Sequence, residues 1–199
     1  MIQTTLLTSH KGVDLHAATA VRVMQRGLEG GDALAALHRC ELHTFWDAGD
    51  GRSVAELLEV GRFYNPNKHH YGHFELETAG PSWLAGPDTG ATAELAGGSL
   101  ADDWPGRPVA SDLDLATGSL YETLLGGPVP AEHVAVDFAA FPLGEAGPIL
   151  TGVLWRLVLS DDGRAPARLA DRLAVTRAGD QGLLINPHLH GWLVAVRRS

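Results

Sequence analysis

The residues best suited to chemistry lie in two short segments. Residues 63–74 read FYNPNKHHYGHF and residues 184–193 read LINPHLHGWL. Each places Asn-Pro directly after apolar residues, then a histidine within five positions, then a glycine followed by His or Trp. Proline fixes φ and removes a donor, and an asparagine side chain accepts from nearby backbone amides. Both segments therefore read as a chain that breaks at an Asn-Pro turn and resumes extended structure past a glycine. Such a turn sets the direction of the side chains that follow it. The chain shows no other repeat, so the shared order predicts that Asn65-Pro66 and Asn186-Pro187 lie beside each other and wall one site; the competing reading is two unrelated turns at opposite ends of the domain.

In that site the residue types suggest roles. His69 and His188 are the acid–base candidates, because imidazole ionises nearest neutral pH. Arg62 and Lys68 supply positive charge for an anionic small molecule, a carboxylate or a phosphate. Asn65 and Asn186 hold the turns and stand at the ligand. His70, His73 and His190 are candidate ligands of a divalent metal, since alternate residues of a strand share a face. The spacing matches neither HExxH nor HxHxD, so exposed or core imidazoles remain the competing explanation. Both lysines of the chain adjoin a histidine, as His10-Lys11 and Lys68-His69, and a Lys–His pair at a turn suits an anion. His38-x-Cys40-x2-His43 would be spread around a helix rather than converge on a metal, and Cys40 reads as a small buried apolar residue. There is no GxSxG elbow, Walker loop or GxGxxG.

The charge balance bounds the partners. Fifteen Lys and Arg face 24 Asp and Glu, a net −9 with ten histidines neutral. A negative surface repels phosphate backbones and anionic lipid, so neither nucleic acid nor a membrane is expected. One cysteine allows no internal disulfide. The N-terminus carries no basic start or long apolar core, and no apolar run approaches the roughly 20 residues of a membrane span. The expected location is the cytoplasm.

The elements that must position these residues read as follows. Asp14 to Leu28 has apolar residues at helical spacing and ends at Gly30-Gly31. Asp32 is expected to cap a short helix through His38, and Leu42 to Trp46 to be a strand. Ser53-Val54-Ala55-Glu56 is a capping box for a helix ending at Gly61. Tyr71 to Glu77 alternates with a period of two, hence a strand. Residues 78–130 contain nine Gly, six Pro and seven acidic residues against one basic residue. They read as a long acidic excursion with one helix, Leu120 to Leu125. Val134–Phe138, Ile149–Leu159 and Trp192–Val196 read as strands, and Leu173–Thr176 with Leu183–Ile185 as a hairpin. The fold expected is a single α+β domain over residues 1–199. N-terminal helices pack on a mainly antiparallel sheet built largely from the C-terminal third.

Two functions stay open at this level. One is a protein or enzyme that binds a small anionic ligand at a His-rich site. The other is a non-catalytic interaction or assembly protein, meeting a protein partner or a second copy of itself through the acidic stretch and exposed Trp83 and Trp104.

Overall fold

The computed structural model of the chain describes residues 2–46, 54–59, 61–77, 96–114, 119–143, 149–161 and 163–198. Its centre is an eight-stranded sheet. In chain order the elements are β1 (Ile2–His10), α1 (Leu15–Gly27), β2 (Leu34–Trp46), α2 (Val54–Glu59), β3 (His69–Glu77), β4 (Ala96–Ser99) and β5 (Arg107–Ser111). They continue with α3 (Leu120–Leu124), β6 (His133–Pro142), β7 (Leu150–Ser160), α4 (Pro166–Ala174) and β8 (His190–Arg197). The strand order is β4-β8-β6-β7-β2-β1-β3-β5. Every pairing is antiparallel except β4 with β8.

The mixed α+β class holds, but the sheet is not a product of the C-terminal third. β1, β2 and β3 come from the first 77 residues and occupy three positions between the middle and one edge. The expected helix through His38 is instead the start of β2, preceded by a single 3-10 turn at Gly31–Ala33. Pairing with β7, where Leu34, Ala36 and Leu37 lie opposite Leu159, Val158 and Leu157, overrides the helix preference of Leu-Ala-Ala-Leu. The expected hairpin at 173–185 is also corrected. Pro166 opens α4, which buries Leu169, Ala170, Leu173 and Ala174, and only a single parallel bridge joins Val175 to Ile185. Ser53 and Trp83 lie outside the described residues. Trp104 is buried rather than exposed.

Asp14 shows why α1 begins where it does. Its carboxylate accepts from the amides of His16 and Ala17 at 2.8 and 3.1 Å, which satisfies two donors of the first turn. Ala17, Ala20 and Met24 then face one side of the sheet together with α4, over Leu37, Phe138, Leu157 and Trp192. α2 packs on the same side of the other half, over Leu6 and Phe45.

The opposite face is closed by chain, not by long helices. Residues 100–106 connect β4 to β5, the two outer strands, and bury Leu100 and Trp104. Eight strands about 4.8 Å apart would make a flat sheet about 34 Å wide. The eight steps from Ser99 to Arg107 reach at most about 28 Å. The sheet must therefore curl around this strap. Arg197 of β8 donates to the carbonyls of Asp102 and Trp104 at 3.0 and 3.1 Å. At the far end Gly106, at φ +102°, lies so close to Glu75 that a Cβ would sit 2.2 Å from its carbonyl oxygen. Only glycine fits there.

The register reveals an internal duplication. His10 pairs with His69 at the β1–β3 boundary, and Pro142 with His190 at the β6–β8 boundary. Leu7 pairs with Leu42, and Ala139 with Leu154. Exchanging β1, β2 and β3 for β6, β7 and β8 turns the pair Leu42–Gly152 into the pair Leu154–Cys40, which is also present. A pseudo-two-fold axis thus pierces the sheet at Glu41–Val153. The cross-strand pair of hydroxyls Thr5–Thr44, 3.2 Å apart, corresponds to the buried ion pair Asp137–Arg156.

Candidate functional site

The two Asn-Pro turns share one geometry. The Asn65 side chain accepts from the Asn67 amide at 3.0 Å, and the Asn186 side chain from the His188 amide at 2.9 Å. Each Asn carbonyl accepts from the amides three and four residues on. Each turn ends on a histidine whose Nδ1 accepts from the amide of its own Asn, at 3.4 Å for His69 and 3.2 Å for His190. These imidazoles are thus fixed with the proton on Nε2 when neutral.

The turns do not meet. They open β3 and β8, with β6, β7, β2 and β1 between them, and the two-fold relation sends them to opposite ends of the sheet. Arg62, Asn65, Lys68 and His69 gather at one end, Asn186, His188 and His190 at the other. The metal set is likewise dispersed. His70 and His73 are an odd number of residues apart on one strand and face opposite sides. His70 Nδ1 lies 3.1 Å from Asp112 Oδ2, His73 Nε2 is 3.8 Å from Glu75, and His190 is engaged by its turn. Among the described residues no group of three or more His, Cys, Asp or Glu is arranged to hold a metal ion.

The two Lys–His dipeptides do come together. The Lys11 amide donates to the Lys68 carbonyl at 2.8 Å, and the His10 and His69 rings meet edge to face at 4.9 Å. Lys11 Nζ donates to the Pro66 carbonyl at 2.8 Å and stands 3.6 Å from Asp112. Burial would raise the Asp112 pKa, but the Tyr71 amide, His70 and Lys11 outweigh it and hold the carboxyl below its ordinary value. Lys11 is thus committed to bracing the first turn, and Lys68 is exposed beside it.

Next to this turn lies a groove of about 350 Å³, lined by Arg39, Glu41, His43, Arg62, Phe63, Thr151, Gly152 and Val153. Alternation along β2 puts Arg39, Glu41 and His43 on one face, the face of α1 and α2. Arg39 stands 3.5 Å from both Asp14 and Glu41. The Arg62 guanidinium lies over the Phe63 ring at 5.1 Å. Among the described residues it has no carboxylate partner. His43 is buried, with Nδ1 3.3 Å from Thr151 Oγ1 and its ring 4.6 Å from Phe63. Burial pushes its pKa down to about 4, with Arg62 adding to the effect and Glu41 opposing it, so it is neutral at pH 7. Burial also lowers His69, against the pull of Glu41. Of the groove residues the sequence pointed only to Arg62 as a ligand contact. Glu41, Arg39 and His43 alternate along β2, a period-two signal obscured by assigning its first half to a helix.

No protein-family model, curated protein or solved structure matches the chain. No helix among the described residues is long and apolar enough to cross a membrane.

Proposed function

We propose that the chain binds a small organic molecule with an anionic group in the groove between Arg39, Glu41 and Arg62, beside the first Asn-Pro turn. Arg62 meets the anion and Lys68, exposed on the adjoining turn, adds to the positive field; Glu41 in the groove and His69 at the turn beside it are the groups able to exchange a proton. Asn65 holds the turn. Asn186, His188 and His190 belong to a structural copy of it.

One observation carries this reading. The duplicated unit supplies an internal control for what the backbone requires. At the positions equivalent to Lys11, Lys68, His10, Glu41, His43 and Thr8, the second copy has Leu143, Leu189, Pro142, Val153, Trp155 and Ala140. The fold builds the same turn and strands with apolar residues there. Of this set Glu41 and His43 line the groove, and polar groups in a concavity where the second copy folds with apolar residues are the usual mark of a ligand site.

Titration calorimetry of the intact protein with succinate, inorganic phosphate and pyrophosphate tests it. Saturable binding of at least one, weakened tenfold or more in Arg62→Ala and unchanged in Asn186→Ala, is the expected result. No saturable binding, or equal affinity in Arg62→Ala, overturns it.

A further inference from the structure

The charges of the groove specify more than an anion. Arg39, Arg62 and Glu41 are the charged residues of its lining, Asp14 pairs with Arg39 beside it, and Lys68 stands on the adjoining turn outside the lining. The charges of the lining are not equally satisfied. Arg39 is shared between Asp14 and Glu41, 3.5 Å from each, and is only 15% exposed. Glu41 thus holds half a partner at a long distance, and its side chain is 38% exposed. Arg62 has an aromatic ring beneath it and, among the described residues, no carboxylate. Among the described residues the lining of this 350 Å³ space therefore offers a ligand a cation without a carboxylate and an under-compensated carboxylate.

A purely anionic ligand would satisfy Arg62 and bring a second negative charge near Glu41 in a part-buried setting, where like charges are costly. A ligand with a positive group as well satisfies both. We propose that the ligand of this groove is a zwitterion of the amino-acid type, with its carboxylate on Arg62 and its ammonium on Glu41, which rests on the anion-binding reading above. Phe63 and Val153 supply the apolar surface for its side chain. Phe63 is held by the His43 ring edge-on at 4.6 Å. The volume is at the lower end of the roughly 300–1,000 Å³ range of small-molecule sites, which suits a small amino acid. Glu41 is also the residue to expect for discrimination. It lies at the axis of the duplication, where its counterpart is Val153, so a carboxylate is not demanded by the sheet.

The test uses pairs of probes that differ only in the ammonium group, such as L-norvaline and pentanoate, or L-alanine and propionate, titrated into the intact protein and two variants. In the wild type the amino acid of at least one pair binds tenfold or more tightly than its desamino partner. Glu41→Gln, which keeps the shape and removes the charge, erases that preference and leaves the carboxylate-only probe bound. Arg62→Ala weakens both members. Circular dichroism melts confirm that each variant is folded. Equal or tighter binding of the desamino acids overturns the zwitterion, as does a preference that survives Glu41→Gln. Failure of every pair overturns it as well, and the succinate and phosphate titrations then judge the anion groove separately.

Discussion

Glu41 and Val153 face each other across the β2–β7 seam at the one pairing that the internal two-fold axis leaves in place. One position of the duplicated unit thus carries a carboxylate in one copy and an apolar branched side chain in the other, directly opposite across the strand pair. Glu41→Val makes the axis symmetric. It removes one of two carboxylates sharing Arg39, a part-exposed contact worth about 1 kcal/mol or less. The expected outcome in urea denaturation is a stability within about 1 kcal/mol of the wild type. A larger loss would show that the sheet needs this carboxylate, against the internal-control argument.

The buried imidazole of His43 makes stability depend on pH in a defined direction. Its folded pKa of about 4 lies below the ordinary 6.5, so the unfolded chain takes up its proton first as pH falls. The contribution is complete above about pH 6.5 and is lost progressively down to about pH 4, for a total of about 3 kcal/mol. Denaturation midpoints measured between pH 7.5 and 4 should fall, and His43→Gln should flatten that slope. A slope identical in the two proteins would assign the acid sensitivity to other groups.

The two turns should have similar energetics although their surroundings differ. Asn65→Ala and Asn186→Ala each remove one side-chain acceptor from a backbone amide, and each should cost about 0.5–1.5 kcal/mol. Thermal melts of the single variants check this. A cost confined to one of them would show that the shared hydrogen bonds do not carry equal weight.

The ion pair at the core of the second copy is the most sensitive point on the concave side. Arg156 donates through Nε and Nη2 to the two oxygens of Asp137 at 2.8 and 2.9 Å, and Tyr121 donates to the same carboxylate at 2.8 Å. Asp137 and Arg156 are both buried, at 0% and 2% exposure. Asp137→Asn leaves a buried guanidinium without its counter-charge and should cost about 3–5 kcal/mol. Tyr121→Phe removes one hydroxyl and should cost about 1–3 kcal/mol. The reverse order in denaturant titrations would mean that the hydroxyl, not the charge pair, organises this core.

Several elements could be read from the residues alone. The helical spacing that begins at Asp14, the alternation of 71–77, and the apolar runs that became β6, β7 and β8 are local signals, set within one segment. The common geometry of the Asn-Pro turns was visible for the same reason. Their separation was not, because it depends on which strands pair, and a repeat does not say whether its copies are adjacent or related across an axis. β1 was missed although Ile2 and its threonines favour a strand. The start of β2 reads as helix because alanine and leucine suit one until the neighbouring strand β7 competes for the backbone. α4 was signalled by Pro166 and the spacing of Leu169 and Leu173, and lost to the strand-like Leu173–Thr176. β4 and β5, short and rich in glycine or proline, have no periodicity to find.

The parallel partnership of β4 with β8 has a consequence for how the chain is made. β1, β2 and β3 can pair as soon as residue 77 has emerged. β4 emerges soon after, but the strand it needs lies more than 90 residues further along the chain. Until Trp192–Val194 arrive, the backbone donors and acceptors of Ala96–Ser99 have no ladder to join, and the strap through Trp104 lacks the Arg197 anchor. Pairings so distant in sequence close slowly, and an unpaired edge is a point where nascent chains associate. Loss of residues 192–199 would leave β4 unpaired and remove one wall of the curled core.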